Sequence, residues 1–144
     1  MKKYNLKNKL VLVTGGSGFL GKPLIKELLN LGANVRTIAR NEGKLIELKS
    51  EFPDIEILTG DISDPFDARQ SMKDVKAVFH LAASKHVGLA EKQVRECIKS
   101  NTIGTMNLLD CSLNEDLEFF ISISTDKAAQ VVGVYGASKL LMER

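Results

Sequence analysis

Three small groups of residues carry most of the chemistry legible in this chain. Gly15, Gly18 and Gly21 stand three apart in the segment TGGSGFLG, directly after a short apolar, β-branched run and at the start of a helical pattern. In that setting one glycine permits a tight turn, one lets the backbone approach a pyrophosphate and one lets the helix pack closely on its strand. The first helical amides and the positive end of the helix dipole then face the phosphates. Ser17, Phe19 and Leu20 lie inside the same loop and are expected to contact the same dinucleotide. Tyr135 and Lys139 are four apart in YGASK, so on a helix they share one face. A nearby ammonium favours phenolate and fits the tyrosine to take a proton from a hydroxyl as hydride leaves the same carbon. Asp126 and Lys127 follow a predicted strand, at the sheet edge where ligands bind in α/β folds.

The second strand ends Ile38-Ala39-Arg40-Asn41. A carboxylate at the end of this strand would accept from the adenosine ribose and favour NAD; Ala39 has none, and Arg40 offers a planar cation suited to a 2′-phosphate. NADP is therefore favoured over NAD. The alternative is that Arg40 is a solvated residue and Glu42 supplies the acid. Asp61 and Ile62 follow the third strand, where Asp61 can accept from the adenine amine and Ile62 can pack on the ring. A cap or turn role for Asp61 stays open.

These residues need a scaffold, and the pattern of the chain provides one. Strands are expected at residues 9–13, 34–39, 55–58, 77–81 and 118–123, with helices at residues 19–31, 42–51, from Ser63 or Asp64 to before Asp74, at 91–113, and from about Val134. Pro23 suits the first turn of its helix, Gly32 its C-terminal end, and Pro65 the start of the third helix. The alternation predicts an α/β fold, a Rossmann-like doubly wound parallel sheet in the order 3-2-1-4-5. Residues 1–144 then make one NAD(P)-binding domain. His80, within an apolar strand, reads as a hydrogen-bonded core histidine.

With 44% apolar and 26% charged residues the composition is that of an ordinary globular protein. The net charge of +2, without a block of lysine or arginine, gives no support to nucleic-acid binding. No apolar run reaches the ~20 residues of a membrane span, and the polar N-terminus has no signal-peptide pattern. Cys97 and Cys111 lack metal-ligand or CxxC spacing, so reduced thiols, no metal and a cytoplasmic location are expected.

TGGSGFLG, GDISD, FHLAASKHV, SNTIGTMNLL, STDKA and YGASK occur in that order along the whole chain. Together they resemble the extended short-chain dehydrogenase/reductases, and more narrowly the branch of inverting UDP-N-acetylglucosamine 4,6-dehydratases and capsular polysaccharide biosynthesis proteins. KHV with STDKA is the selective feature. Dehydratases that keep the C5 configuration mostly carry an acid where Lys127 stands.

The resemblance implies that Tyr135 and Lys139 act at the nicotinamide, with Lys139 also holding its ribose. It implies that Asp126 and Lys127 serve proton abstraction at C5 and loss of the C6 hydroxyl. Ser124 or Thr125 would bond substrate or the Tyr135 hydroxyl. Leu81, Ala82, Ala83, Lys85 and Asn101 are expected on the cofactor side, with Asn101 bracing the ends of the fourth and fifth strands. Lys85 and His86 can also face substrate. A UDP-linked amino sugar is the implied substrate, and a homo-oligomer the implied assembly.

Gln130-Val131 departs from the Asn-Pro common in resembling sequences. The chain stops at Arg144, inside the tyrosine–lysine helix, whereas resembling enzymes continue with further strands and a substrate domain. A fragment truncated before those parts is expected. An epimerase or reductase of the same superfamily, and a non-catalytic NADP-binding regulator, are the competing readings.

Overall fold

β1 (Leu10–Thr14) lies at the centre of the molecule because both of its faces are apolar. Val11 and Val13 point to one side and Leu12 to the other, and all three are buried. The computed structural model describes residues 4–144. Around β1 stand β2 (Asn34–Ala39), β3 (Glu56–Thr59), β4 (Ala77–His80) and β5 (Phe119–Ser122), all parallel, in the order β3-β2-β1-β4-β5. This is the predicted doubly wound sheet, and its strand order reverses direction between β1 and β4.

The two faces are covered by different helices. Val11, Val13 and Val35 pack with Ile25 and Leu28 of α1 (Gly21–Asn30) and Leu48 of α2 (Glu42–Glu51). Leu12, Ile38 and Val78 pack with Ala68 and Met72 of α3 (Pro65–Met72) and, further along, with Leu108. Burying a side chain of this size contributes about 1.5–3 kcal/mol, so the two apolar layers fix which strand tips stand side by side. Helix ends follow the sequence signals. Asn41 caps α2 and Asp64 caps α3 with Pro65 at the first helical position, while Gly32, at φ +77°, closes α1 with Gly32 N–H to Leu29 O and Ala33 N–H to Leu28 O.

One expectation fails. The helix predicted as continuous over residues 91–113 is four pieces: α4 (Val87–Lys92), α5 (Val94–Ile98), a π-helical turn (Lys99–Ile103) and α6 (Gly104–Ser112). Gln93, at φ −123° and ψ 55°, breaks the first junction. The π turn brings the Asn101 side chain into the interior, where it is fully buried. α1 also starts two residues later than predicted, leaving Phe19 and Leu20 in the loop, and a 3₁₀ turn (Asp126–Ala128) precedes α7 (Val134–Glu143). Among the described residues, no helix is long and apolar enough to cross a membrane.

Candidate functional site

The glycine loop closes because two of its members tolerate contacts that no side chain could. Gly15 has φ +72°, and a Cβ there would sit 2.9 Å from the amide nitrogen of Ala82. A Cβ on Gly21 would lie 2.4 Å from the Gly15 carbonyl oxygen, so α1 can start this close to the loop only with glycine. Gly18 N–H donates to Gly15 O at 2.9 Å and completes the turn. α1 then begins at Gly21 after Leu20, whose apolar side chain caps nothing, in contrast to the starts of α2 and α3. Lys22 N–H donates to Gly18 O at 3.3 Å and Pro23 has no N–H, so it is the Gly21 amide that needs an acceptor from solvent or a ligand.

Beside the loop runs a groove of about 360 Å³ at the carboxyl ends of four strands. Gly15, Ser17 and Gly18 line it after β1, Arg40 and Lys44 after β2, Asp61 and Ile62 after β3, and Leu81, Ala82, Ala83 and Lys85 after β4. A continuation of about 190 Å³ runs past Phe19, Leu20, Gly21 and Lys85 to Ile123 at the end of β5. Phe19 is 96% exposed, so it faces the continuation rather than the core. A larger hollow of about 490 Å³ lies between α3 and α6, on the flank of two helices and away from the strand tips. Among the described residues, no three acidic, histidine or cysteine side chains gather as metal ligands, and Cys97 and Cys111 are free thiols.

Several predicted site residues are engaged differently from the expectation. Asp61 lines the groove, but its Oδ1 accepts from the Ser63 amide (3.0 Å) and hydroxyl (2.7 Å), and its Oδ2 from Lys99 Nζ (3.3 Å). Partial burial works to raise its pKa, but the bonds from Ser63 and the Lys99 charge outweigh it and hold the carboxyl below the usual range. The turn role left open for Asp61 is thus present. Arg40 forms an ion pair with Glu96 of α5.

Asn101 does not line the groove; it braces the segment after β4 as expected, but ties it to α7 rather than to β5. It accepts from Ser84 N–H at 2.7 Å, and its Nδ2 donates to Ser84 O and to Ser138 Oγ at 3.0 Å each. It thus ties the loop after β4 to α7, because the π turn has drawn it inward.

His80 joins the same framework, and the donors along it fix its protonation. Ala82 N–H donates to Thr14 Oγ1 (3.1 Å), and Thr14 Oγ1 lies 2.6 Å from His80 Nδ1. On the other side His80 Nε2 lies 2.9 Å from Thr105 Oγ1, whose hydroxyl already donates to Asn101 O at 2.8 Å. Thr105 must therefore accept, which places the imidazole proton on Nε2 and leaves Nδ1 to accept from Thr14. Burial, aided by the positive Lys139, lowers the His80 pKa to about 4.

Thr125, Asp126, Lys127, Tyr135 and Lys139 do not line the groove or its continuation; Lys139 is buried beside the Ile123 end, where its Nζ donates to Ile123 O at 2.7 Å. Burial lowers its pKa, with Cys97 and Glu143 opposing. Tyr135 stands one turn earlier on α7, half-buried, and its hydroxyl has no hydrogen bond among the described residues. Ser138, between them, donates to Tyr135 O at 2.8 Å. Asp126 and Lys127 form a 3.7 Å ion pair in the 3₁₀ turn, with side chains 89% and 54% exposed. The Thr125 hydroxyl donates to Asp126 at 3.0 Å, and with Lys127 it keeps the Asp126 carboxyl below its usual range. Ser124 bonds to Glu143 rather than to Tyr135. The groove residues that sequence reasoning missed are Ile38, Asn41, Lys44, Gly60, Ser100 and Ile123. Most of them flank a predicted contact at a strand tip, and only Ser100, carried in by the π turn, had no local signal.

Comparison with known proteins agrees with this geometry. Residues 11–144 match the polysaccharide biosynthesis protein family. An uncharacterized membrane protein of Methanocaldococcus jannaschii, MJ1061, is 44% identical over 96% of this chain and 42% of its own length. The inverting UDP-N-acetylglucosamine 4,6-dehydratase of Campylobacter jejuni is 40% identical over 98% of this chain and 43% of its own. The UDP-glucose 4-epimerase of Rickettsia rickettsii is 31% identical over 95% and 42%. Among solved structures, Pen from Bacillus thuringiensis superposes with a TM-score of 0.93 at 32% identity, over 96% of this chain and 44% of that one. The chain thus spans less than half the length of these relatives.

Proposed function

The chain belongs to the polysaccharide biosynthesis protein family, and from that premise we propose that it is the dinucleotide-binding part of a nucleotide-sugar 4,6-dehydratase acting on a UDP-linked amino sugar. The observation that carries the cofactor half is the glycine loop with the uncapped start of α1, which together line a groove and its continuation at the strand-order reversal. Arg40 and Lys44 at its far end favour NADP over NAD. The 40% identity to the Campylobacter jejuni dehydratase supports the reaction.

The bound dinucleotide would supply a hydride acceptor and return the hydride later in the cycle. Tyr135 takes the proton from the C4 hydroxyl of the sugar. Lys139, beneath it on the same helix face, reaches toward the ribose nearest the reacting ring. Once C4 is a ketone, the C5 proton is acidic: the amine form of Lys127 takes it, and that proton, passed through the adjoining Asp126, leaves with the C6 hydroxyl as water. Thr125 holds the Asp126 carboxylate in place. Exposed Val94, Ile98, Ile103, Met106 and Leu109 on α5, the π turn and α6 support assembly into a homo-oligomer.

Full-length protein incubated with UDP-N-acetylglucosamine in deuterated water tests the reading. A 4-keto, 6-deoxy product with deuterium at C5 is expected by NMR. The 31% identity to a UDP-glucose 4-epimerase favours a second reading, in which a C4 epimer appears with the C6 hydroxyl intact. That product, or no turnover, would sink the dehydratase assignment.

A further inference from the structure

We propose that Glu96 tunes the choice between the phosphorylated and unphosphorylated dinucleotide, by competing with the 2′-phosphate for Arg40. The inference rests on the cofactor reading above and adds a residue to it. Arg40 leaves the tip of β2 and lines the groove, while Glu96 comes from α5, on the opposite side of the sheet-order reversal, and is not part of the groove wall. The two meet as an ion pair whose side chains are 60% and 41% exposed. They meet at the water-facing rim, where a ligand can exchange partners with them.

The charges at this end of the groove can be followed one by one. Lys44 on the first turn of α2 lines the same end and makes no ion pair among the described residues. Asp61 and Lys99, 3.3 Å apart, offset each other. Ala39 contributes no acceptor. Two cations and one carboxylate therefore surround the place where the adenosine ribose would lie. A 2′-phosphate carries about −1.5 to −2 charge near neutral pH. It gains from Arg40 and Lys44, and it is repelled by Glu96. A ribose hydroxyl is neutral and barely senses that carboxylate. Glu96 thus acts on the difference between the two cofactors. Because the pair is well exposed, water screens it and the effect is a few-fold.

Fluorescence titration of full-length protein with NADPH and with NADH tests this in wild type, Glu96→Gln and Glu96→Lys. Gln keeps the shape and an acceptor for Arg40 while removing the charge. NADPH should bind roughly two- to five-fold tighter to the Gln variant and about ten-fold tighter to the Lys variant. NADH should move by less than about two-fold, and the NADPH gain should shrink in about 0.5 M salt. An unchanged NADPH-to-NADH ratio in both variants would overturn the proposal while leaving the cofactor reading intact. So would a selective loss of NADH, which would make Glu96 an acceptor for the ribose. Failure of wild type to bind either dinucleotide would remove the cofactor reading and this inference together.

Discussion

The two ends of the groove are built in different ways. At the phosphate end, the tips of β1, β2 and β4 meet over a core that is buried on both faces, with the edge strand β3 beside them, and the loop is shaped by backbone contacts at Gly15 and Gly21. At the far end the groove reaches Ile123 beyond β5, an edge strand whose residues are half-buried or exposed, and Asp126 and Lys127 stand largely in water. Binding geometry is therefore fixed by main chain and core packing. Asp126 and Lys127 depend on a few specific polar contacts and on whatever docks above them.

The sharpest way to break this contrast is Tyr135→Phe. Turnover of the full-length protein should fall about 10²- to 10⁴-fold, with the dinucleotide Kd within about three-fold, since the phenol is remote from the glycine loop. A comparable loss of binding would show that the two ends are not separable. Next comes Gly21→Ala, whose methyl would be driven into the Gly15 carbonyl. We expect roughly 100-fold weaker dinucleotide binding by titration, and about 2–4 kcal/mol less stability in urea. Unaltered binding would mean that the loop can shift without cost.

His80 lies beneath both ends, and its titration gives a pH test. Its folded pKa is about 4 against about 6.5 unfolded. The neutral form is the one the fold accepts, so its contribution is complete above about pH 6.5 and is lost as pH falls from there to about 4. The loss amounts to about 3 kcal/mol. Urea melts across that window should show the slope, and His80→Gln, less stable at neutral pH, should remove this part of it. The smallest expected effect is Asn101→Ala. It unpairs the Ser84 backbone and frees Ser138, costing about 2 kcal/mol. Because Asn101 joins the β4 loop to α7, both dinucleotide Kd and kcat should worsen together; a change in one alone would assign it to that end.

The phosphate end was also the more legible one in the sequence. TGGSGFLG places its glycines by a spacing that depends on local backbone alone, and the residues assigned around it, from Ser17 to Lys85, line the groove. The strand order followed from alternation and apolar runs. What sequence periodicity missed was non-local. The apolar positions from Val94 to Leu113 fit one helix, yet a buried asparagine making four bonds to three residues, Ser84, Cys97 and Ser138, pulls a turn open at Lys99–Ile103. For Asp61 the sequence leaves an adenine contact and a turn role both open; the turn with Ser63 is local, and only the Lys99 partner, 38 residues on, is out of reach of strand pattern. Glu96 carried no signal at all, since it lies 56 residues from Arg40.

The fixed direction of the bonds around His80 has one more consequence. With Nε2–H given to Thr105 and the ring almost fully buried, that proton has no route to bulk water while the sheet is closed. Its exchange must wait for β4 and α6 to part. The imidazole proton is thus a built-in clock for opening of the fold, and its lifetime in deuterated solvent, with and without dinucleotide, measures how firmly a ligand several residues away holds the sheet shut.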